Sequence, residues 1–414
     1  MSQQTGEPTH PKDDRLLLVL SHFYPPDPAS VGQHIADACA EMARRGHRVR
    51  VITANRGFED PSQKFPARET IDGVDVRRVP FSSFGKKSLL HRAASMAGFL
   101  VHCLWAVLLT RKVKFILVST SPPLCGFAAG VAHMLRGIPF LYWVMDLNPD
   151  QLIVLGKTTE SSITARMSNA LQRFILKRAK QVVVLDRFMA ERVNRKRDVS
   201  DKTTIIPPWP HEDSLESVEH TDNWFREREG VQDSFVLMYS GNHGYSTPVG
   251  TMLDAAKTLA PENGTTFMFI GGGVRKKEVD ERLEREKPEN VRSLPYQPME
   301  HLRYSLGAAD VHMVAMEEEV VGIIHPCKIY GAMAVGRPIL LLGPSPCHAS
   351  DVLEGEDIGW RVASDDTEGM VRAVREARSL DPERLREMGR RAKQLVDEKY
   401  SKRQLCGAFC DLME

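Results

Sequence analysis

The chain has 414 residues, which is enough for two or three domains at about 100–200 residues each. Its 42% of apolar and 26% of charged residues are ordinary for a globular protein, and its net charge of +1 gives no global field that would favour nucleic acid as a partner. Its seven cysteines are scattered without a CxxC pair, which argues against a disulfide framework and agrees with a reducing cytoplasm.

The N-terminal segment, residues 1–14, is polar and contains prolines and aspartates. It lacks the apolar core of a signal peptide, so we expect a disordered leader. The first predicted element is the strand Leu16–Leu20, a continuous apolar run typical of a buried parallel strand. A proline-rich loop, a helix that ends near Gly46 and a strand over Val49–Thr53 complete one strand–helix–strand unit of a doubly wound sheet.

The alternation of strands and helices continues to about residue 206. We predict that all connections alternate in this way, as a parallel sheet requires. The further predicted strands are Val74–Val79, Phe115–Ser119, Phe140–Val144, Gln181–Leu185 and Thr204–Ile206, and the predicted helices are Leu89–Leu109, Gly126–Leu135, one that ends over Leu171–Arg178, and Met189–Arg195.

The most apolar run is Met96–Leu109, which is shorter than the ~20 residues that cross a bilayer. Basic residues flank it between Lys86 and Lys114. One interpretation is a buried core helix with solvated ends. The other is a partly exposed amphipathic helix that rests on anionic lipid.

The composition changes at the proline-rich linker Pro207–Pro210, which an acidic stretch follows. We predict an N-terminal domain of residues 1–208, a second domain of residues 209–400, and a C-terminal helix within residues 401–414 that crosses back to the first domain. The predicted strands of the second domain are Phe235–Ser240, Phe267–Ile270, Val291–Leu294, Val311–Val314 and Ile339–Leu342.

Ligands of parallel sheets bind where the strands end, so the loops that follow strands are the candidates for chemistry. The loop after the first strand has the single glycine Gly32 in place of GxGxxG, which disfavours NAD. Gly32 either permits one close approach to an anion or simply relieves crowding. Asp146 follows the strand Phe140–Val144 and is either a proton-accepting or acceptor-orienting group or part of an Asx-type turn with Asn148.

In the second domain, glycine-rich turns follow two strands, at Gly241 and at Gly271–Gly273. Three cations, Arg275, Lys276 and Lys277, come directly after the second turn. This combination suits a diphosphate, and the alternative is a generic turn with a solvated basic helix start.

Lys328 begins a short predicted helix, with His325 beside it, and a lysine at a helix start favours an anion. Glu317–Glu319 could bind a metal, but three adjacent carboxylates are expected to form a solvated loop, and no cysteine–histidine spacing of a metal site occurs. We therefore predict no metal.

Nine stretches in order along the chain resemble glycosyltransferase family 4, in particular the bacterial enzymes that build polysaccharides on lipid carriers. They are LLLVLSHFYPPDPASVGQH, ARRGHRVRVIT, STSPPL, WVMDLNPD, YSGNHG, FIGGG, LPYQPMEHL, AADVHMV and PCKIYGAMAVGRP. The resemblance implies the GT-B fold, an α/β architecture of two facing Rossmann-like doubly wound parallel-sheet domains with a cleft between them. It also implies retaining transfer from a nucleotide diphosphate sugar, expected to be a UDP-sugar, to a glycan or lipid-linked acceptor in cell-surface polysaccharide synthesis, without a metal or further cofactor.

The resemblance assigns roles to individual residues. Asp146, Lys328 and Arg275 would be catalytic, and Tyr24 and Ser30 would lie on the acceptor side. The donor would be bound by Gly32, Gly241, Asn242, Gly271, Gly272, Gly273, Tyr296, His325, Pro326, Cys327, Ile329 and Tyr330.

Three departures from the family pattern leave alternatives open. Ile323 and Gly331 replace a glutamate pair, the loop after Gly244 lacks a common lysine, and Met145 replaces a histidine. A catalytically silent sugar-nucleotide-binding partner protein is therefore the second hypothesis, and a GT-B sugar-nucleotide epimerase ranks last. We expect a cytoplasmic monomer that contacts the inner face of the membrane through the Lys86–Lys114 region.

Overall fold

The computed structural model describes residues 16–414 apart from residues 28, 58–61, 81–88, 123–124, 211–214 and 216–217. The predicted leader, Lys86 and Lys87, and part of the acidic stretch after Pro210 lie outside the described residues. Two compact units are present. Unit 1 comprises the residues up to Pro207 together with Arg403–Glu414, and unit 2 comprises Pro208–Lys402.

Within the described residues, unit 1 contains an eight-stranded sheet in the order β3-β4-β2-β1-β5-β6-β7-β8, which is parallel except for β3. The strand order reverses between β1 and β5, which is the point at which doubly wound sheets bind ligands. The strands are β1 Leu16–Leu20, β2 Arg48–Ala54, β3 Arg68–Ile71, β4 Val74–Val79, β5 Val113–Ser119, β6 Phe140–Trp143, β7 Gln181–Val184 and β8 Thr203–Ile205. The helices are α1 Ser30–Arg44, α2 Leu89–Leu109, α3 Cys125–Arg136, α4 Asp150–Val154, α5 Ile163–Arg178 and α6 Arg187–Lys196.

The prediction that every connection alternates is wrong at β3. This strand pairs with β4 in an antiparallel hairpin whose turn residues, Asp72 and Gly73, have φ of 49° and 79°. Such positive φ values at both positions are those of a type I′ turn, for which Asp-Gly is a preferred sequence. The Asp72-Gly73 dipeptide is therefore a local signal for the hairpin. The prediction missed it because it assumed that strands and helices alternate throughout the unit.

Helix α2 is half-buried. Phe99, Cys103 and Val107 lie in the core, whereas Trp105 and Leu109 are more than half exposed. The interpretation as a fully buried core helix is therefore wrong for this side of α2. Among the helices that the structure describes, none is both long enough and apolar enough to span a bilayer.

Six parallel strands form the sheet of unit 2 within the described residues, in the order β11-β10-β9-β12-β13-β14. They are β9 Phe235–Ser240, β10 Thr265–Ile270, β11 Val291–Leu294, β12 Val311–Ala315, β13 Ile339–Leu342 and β14 Gly359–Val362. The helices are α7 Trp224–Arg228, α8 Val249–Leu259, α9 Lys276–Glu286, α10 Leu302–Gly307, α11 Lys328–Ala334, α12 His348–Leu353, α13 Thr367–Ser379 and α14 Pro382–Leu395.

Helices cover both faces of this sheet, so its strands are apolar on both sides. In β10, Phe267 and Phe269 pack into one buried cluster, whereas Met268 and Ile270 pack into another on the opposite face. The edge strand β14 was not predicted. Its four residues include Arg361, so it shows no apolar run of the kind that marks the central strands.

The final helix, α15 Lys402–Asp411, belongs to unit 1 from Arg403 onwards. The Phe409 ring lies against the Trp143 ring with 4.3 Å between their centroids, and Arg45 forms an ion pair of 2.6 Å with Asp411. An aromatic contact at the core and an ion pair at the rim thus attach α15 to unit 1, whose first strand begins at Leu16.

Candidate functional site

Two glycine-rich loops meet at the carboxyl edge of the unit 2 sheet. Gly241 follows β9 and Gly271 follows β10, with φ of 123° and 125°, a conformation that side chains rarely permit. A Cβ atom on Gly271 would lie 2.1 Å from the carbonyl oxygen of Gly241. The loops therefore touch through their backbones, and this contact requires the glycine.

Further backbone contacts lock the two loops together. The amide of His243 donates to the carbonyl of Gly272 over 2.6 Å, and the amide of Arg275 donates to the carbonyl of His243 over 3.0 Å. A Cβ on Gly273 would lie 2.3 Å from Oδ1 of Asn242. The amides of Gly241, His243, Gly271 and Arg275 donate to carbonyls within the unit, so an anion at these loops would be bound by other N–H groups of the two turns.

Lys328, the first residue of α11, lies against the first of these loops. A Cβ on Gly241 would come within 2.8 Å of the lysine Cε, and Nζ lies 5.1 Å from the centroid of the Tyr239 ring. Burial by itself lowers the pKa of Lys328, but Tyr239 and Cys327 outweigh that effect and raise the pKa above its ordinary value. The ammonium group therefore stays charged at neutral pH beside the glycine loops.

The three cations after Gly273 have different environments. Lys276 donates from Nζ to the carbonyls of Phe269 and Leu294 and to the Ser293 hydroxyl, at 3.2, 3.0 and 2.6 Å, so it ties strands together inside the unit. Lys277 is exposed and pairs with Glu281. Arg275 is partly exposed and pairs with Glu278 at 3.1 Å. Arg275 is the nearest of the three to the glycine loops along the chain. Because it is partly exposed, its guanidinium group could reach a ligand at these loops with limited rearrangement.

Tyr296 adds an aromatic surface to the second loop. Its side chain is 60% exposed, and a Cβ on Gly272 would lie 3.0 Å from its Cε2 atom. The ring therefore extends the floor made by the glycines with an apolar face on which a planar group could stack.

The segment before and within α11 faces the core more than the sequence suggested. Oη of Tyr330 lies 2.9 Å from Nε2 of His325 and 2.7 Å from Nε2 of His348. The side chains of Ile329 and Tyr330 are buried in a core cluster, and Pro326 and His325 are buried as well, whereas Cys327 is exposed. Any contact of Ile329 with a ligand would therefore involve its backbone.

Asp146 lies in unit 1, in the loop after β6. The Oγ1 atom of Thr120, which follows β5, accepts from the amides of Met145 and Asp146 at 3.1 and 3.3 Å. The Asn148 side-chain amide donates to the Asp146 carboxylate over 3.5 Å, so the contact described here is not the backbone bond of an Asx turn. Burial raises the pKa of Asp146 to about 6, although the Thr120 hydrogen bond acts in the opposite direction.

Three predicted site residues, Tyr24, Ser30 and Gly32, lie in or directly after the loop that follows β1, and the structure shows a packing role for two of them. A Cβ on Gly32 would lie 3.0 Å from the carbonyl carbon of Phe23, so this glycine relieves crowding whether or not it meets an anion. Tyr24 is buried, and this burial raises the pKa of its hydroxyl. Ser30, the first residue of α1, is exposed and lies 3.4 Å through Oγ from Nδ1 of His34. Ser30 is thus the more accessible of the two predicted acceptor-side residues.

Two domain families cover most of the chain. Residues 30–209 match the model described as glycosyl transferase 4-like domain, and residues 234–379 match the model described as glycosyl transferases group 1. The chain belongs to the family 4 glycosyltransferases. The resemblance predicted from the nine motifs is therefore confirmed.

Relatives of this glycosyltransferase align with it over nearly their whole length. WbjE of Pseudomonas aeruginosa, named as a glycosyltransferase, is 24% identical over 388 residues, which are 93% of this chain and 94% of WbjE. WcaI of Escherichia coli, named for colanic acid biosynthesis, is 22% identical over 374 residues, 87% of this chain and 91% of its own.

Solved structures of glycosyltransferases share the fold. Sucrose-phosphate synthase of Thermosynechococcus elongatus has a TM-score of 0.74 at 16% identity and covers 96% of this chain and 98% of its own. Anabaena HepE, determined in complex with UDP-glucose, has a TM-score of 0.67 at 15% identity over 96% of this chain and 98% of its own. The two parallel-sheet units are those of the GT-B fold, as predicted.

The enzyme departs from its family where a glutamate pair is common. Ile323 is fully buried, and Gly331 lies within α11, where a Cβ would meet only Leu306 at 3.9 Å. Gly331 therefore leaves space that a side chain could occupy, whereas Ile323 belongs to the core. Neither position supplies a carboxylate to this glycosyltransferase.

Glu317 is a candidate that the sequence did not single out. It follows β12, next to the strand-order reversal of unit 2, and is half-buried, whereas Glu318 and Glu319 are exposed. Burial first, and then the charge of Glu319, raise the pKa of Glu317, while the charge of Arg275 acts against both. The expectation of a solvated loop is therefore wrong for Glu317. Three consecutive glutamates in the sequence do not indicate which of them is buried.

Proposed function

We propose that this enzyme is a retaining glycosyltransferase that moves a sugar from a UDP-sugar to a glycan or lipid-linked acceptor in cell-surface polysaccharide synthesis. The observation that carries the proposal is the pair of interlocked glycine loops with the charged Lys328 against Gly241. Backbone N–H groups and an ammonium group together suit the diphosphate that leaves when the sugar is transferred. Since the negative charge on that group grows in the transition state, Lys328 would contribute to rate as well as to affinity.

The rest of the donor would extend over the second loop. Asn242 and Gly271–Gly273 would hold the diphosphate, Arg275 would add positive charge, and Tyr296 would offer its exposed ring to the planar base. His325, Pro326 and Cys327 would contact the donor before α11. HepE, a protein of the same fold, has been determined in complex with UDP-glucose, which supports a UDP-sugar as the donor.

On the acceptor side, Asp146 would orient the acceptor or accept its proton. Its pKa of about 6 lies near neutral pH, which is favourable for a proton acceptor because the carboxylate is formed at pH 7 yet still binds a proton readily. Ser30, the first residue of α1, and Tyr24, in the loop between β1 and α1, would complete this side. Gly32 stays a predicted donor-binding residue. The name of WcaI, which refers to colanic acid, supports a role in polysaccharide synthesis.

Contact with the membrane is a further part of the proposal. Helix α2 exposes Val101, Trp105, Leu108 and Leu109, and Arg111 and Lys112 come directly after it. Exposed apolar side chains beside cations are typical of surfaces that rest on anionic lipid. This surface supports the peripheral location that we predict for the Lys86–Lys114 region.

Calorimetric titration with UDP, GDP, ADP and NAD tests the donor site. We expect one nucleoside diphosphate to bind, and Lys328→Ala to lower turnover of the sugar nucleotide by about 10²–10³-fold. Lys277→Ala is the matched control, because this exposed lysine of the same unit pairs only with Glu281 among the contacts described here. Unchanged turnover in Lys328→Ala would overturn the assignment of the donor site. A separate measurement, the anomeric configuration of the product by NMR, tests whether the transfer retains the configuration of the donor sugar.

A silent sugar-nucleotide-binding protein is the second candidate, because Ile323 and Gly331 leave the donor without the common glutamate pair. It predicts binding of the nucleotide without turnover of any sugar nucleotide. Single-turnover assays with a panel of acceptors would separate the two, since an active enzyme releases the nucleoside diphosphate in proportion to product.

A further inference from the structure

A groove of about 800 Å³ lies in unit 1 among α4, α5 and α6. Its lining is rich in cations from two helices and contains two acidic residues. The cations are Arg166, Arg173, Arg192, Arg195 and Lys196, and the acidic residues are Asp150 and Glu160. The groove therefore has an excess of positive charge although the whole chain is almost neutral.

Part of that charge is already satisfied. Lys196 lies 2.5 Å from an oxygen of Asp150 and donates to Oδ1 of Asn169 over 2.6 Å, so it holds the groove together. Arg166 and Arg173, in contrast, form no ion pair with any residue that the structure describes, and both are exposed. They stand seven residues apart on α5, two turns of helix, and so share one face. Guanidinium groups that face solvent in this way suit a phosphate, which they bind through two parallel hydrogen bonds.

The same face of α5 is also apolar. Ile163 is 76% exposed and Met167 is 68% exposed, and both line the groove together with Ala170 and Ile153. Ile163, Arg166, Met167, Ala170 and Arg173 follow helical spacing, so apolar and cationic side chains alternate along one surface. An exposed apolar surface beside cations would be covered by a ligand that carries a phosphate next to a hydrocarbon chain.

The groove adjoins the loop that carries Asp146. Helix α4, which contributes Asp150 and Ile153, starts four residues after Asp146, and the Gln172 side chain of α5 donates to the carbonyl of Asn148. We propose that this groove binds the phosphate and the adjoining hydrocarbon chain of a lipid-linked acceptor. The inference rests on the proposed function, which assigns the acceptor side to Asp146, and it names the anchor of the acceptor as a phosphate or diphosphate joined to a hydrocarbon chain.

Titration of the full-length protein with farnesyl diphosphate and with inorganic pyrophosphate tests this inference, with UDP present at saturation so that the donor site is occupied. We expect farnesyl diphosphate to bind at least about tenfold more tightly than pyrophosphate, because only the former covers Ile163 and Met167. Arg166→Ala combined with Arg173→Ala should weaken both ligands by about tenfold or more. Ile163→Ser combined with Met167→Ser should weaken farnesyl diphosphate alone.

Lys177→Ala is the control, since this exposed lysine of α5 does not line the groove. UDP binding, measured separately, should be equal in all variants, so a failure of UDP to bind would count against the donor assignment and not against the groove. Equal affinity of the wild type for both phosphates, or undiminished binding in the arginine variant, would overturn the inference. Arginine-dependent binding of phosphatidylglycerol vesicles without binding of farnesyl diphosphate would also overturn it, in favour of a general membrane surface.

Discussion

The two units share a six-strand parallel order, β4-β2-β1-β5-β6-β7 in unit 1 and β11-β10-β9-β12-β13-β14 in unit 2, yet the loops at the carboxyl edges of the two sheets contact each other in different ways. In unit 2, the loops after β9 and β10 contact each other through backbone atoms at Gly241, Gly271 and Gly273. In unit 1, the loop after β5 contacts the loop after β6 through a side chain. The Thr120 hydroxyl accepts hydrogen bonds from the backbone amides of Met145 and Asp146.

This difference bears on what each edge can recognise. Backbone amides are alike in every residue and suit a group that all donors share, such as a diphosphate. Side chains such as Asp146, Thr120 and the α5 arginines vary freely in chemistry and suit the acceptor, which differs from one polysaccharide to the next. One fold therefore combines a fixed edge with an adaptable one.

Gly271→Ala is the most severe way to break the backbone edge. The new Cβ would meet the Gly241 carbonyl at 2.1 Å in addition to the cost of φ 125°, so we expect a loss of at least about 3 kcal/mol of stability together with UDP binding. Gly355→Ala is the control, because its φ is also positive but no atom lies within 4 Å of the new Cβ, and it should cost only about 1 kcal/mol. Similar melting temperatures for the two variants, in scanning calorimetry, would contradict the interlocked arrangement.

Lys276→Met tests whether the buried cation supports that edge. It would leave the carbonyls of Phe269 and Leu294 without this donor, and we expect a loss of about 2–3 kcal/mol in thermal unfolding. Lys277→Met, the neighbouring exposed lysine, should change stability by less than about 0.5 kcal/mol. A direct role of Lys276 in binding the diphosphate would instead appear as lost UDP affinity at unchanged stability.

Asp146→Asn probes the side-chain edge and has the smallest effect on stability. Because the folded protein raises the pKa of Asp146 from 3.8 to about 6, the native state binds more protons than the unfolded state between these pH values, and stability falls as pH rises through this window. The variant should lose this pH dependence, which amounts to about 1 kcal/mol of unfolding free energy across the window because the carboxylate is only half-buried. It should also be slightly more stable than the wild type at pH 7. Turnover in the variant should fall by about 10²-fold or more. Urea unfolding at a series of pH values measures the pH dependence of stability, and the same dependence in the wild type and the variant would contradict the assignment.

The sequence predicted the strands well because buried parallel strands are continuous apolar runs, as in Leu16–Leu20 and Ile339–Leu342. It failed at β14, where Arg361 interrupts the pattern at a sheet edge. For the candidate site, the sequence predicted which glycines and cations follow strands, but it did not predict the orientation of the polar side chains. Lys276 turns into the sheet, and Tyr330 turns towards His325 and His348, because packing within the unit decides the orientation of polar side chains.

The interlocked glycines limit how this enzyme can change. Gly241, Gly271 and Gly273 have φ values of 123°, 125° and 120°, which strain any side chain, so we expect random mutation at these positions to yield damaged proteins and no graded variants. Directed evolution towards a new sugar donor would therefore have to act on the neighbours that do carry adjustable side chains, above all Asn242, Tyr296 and Cys327. A library restricted to these positions would sample donor choice while it preserves the glycine loops to which we assign the donor phosphates.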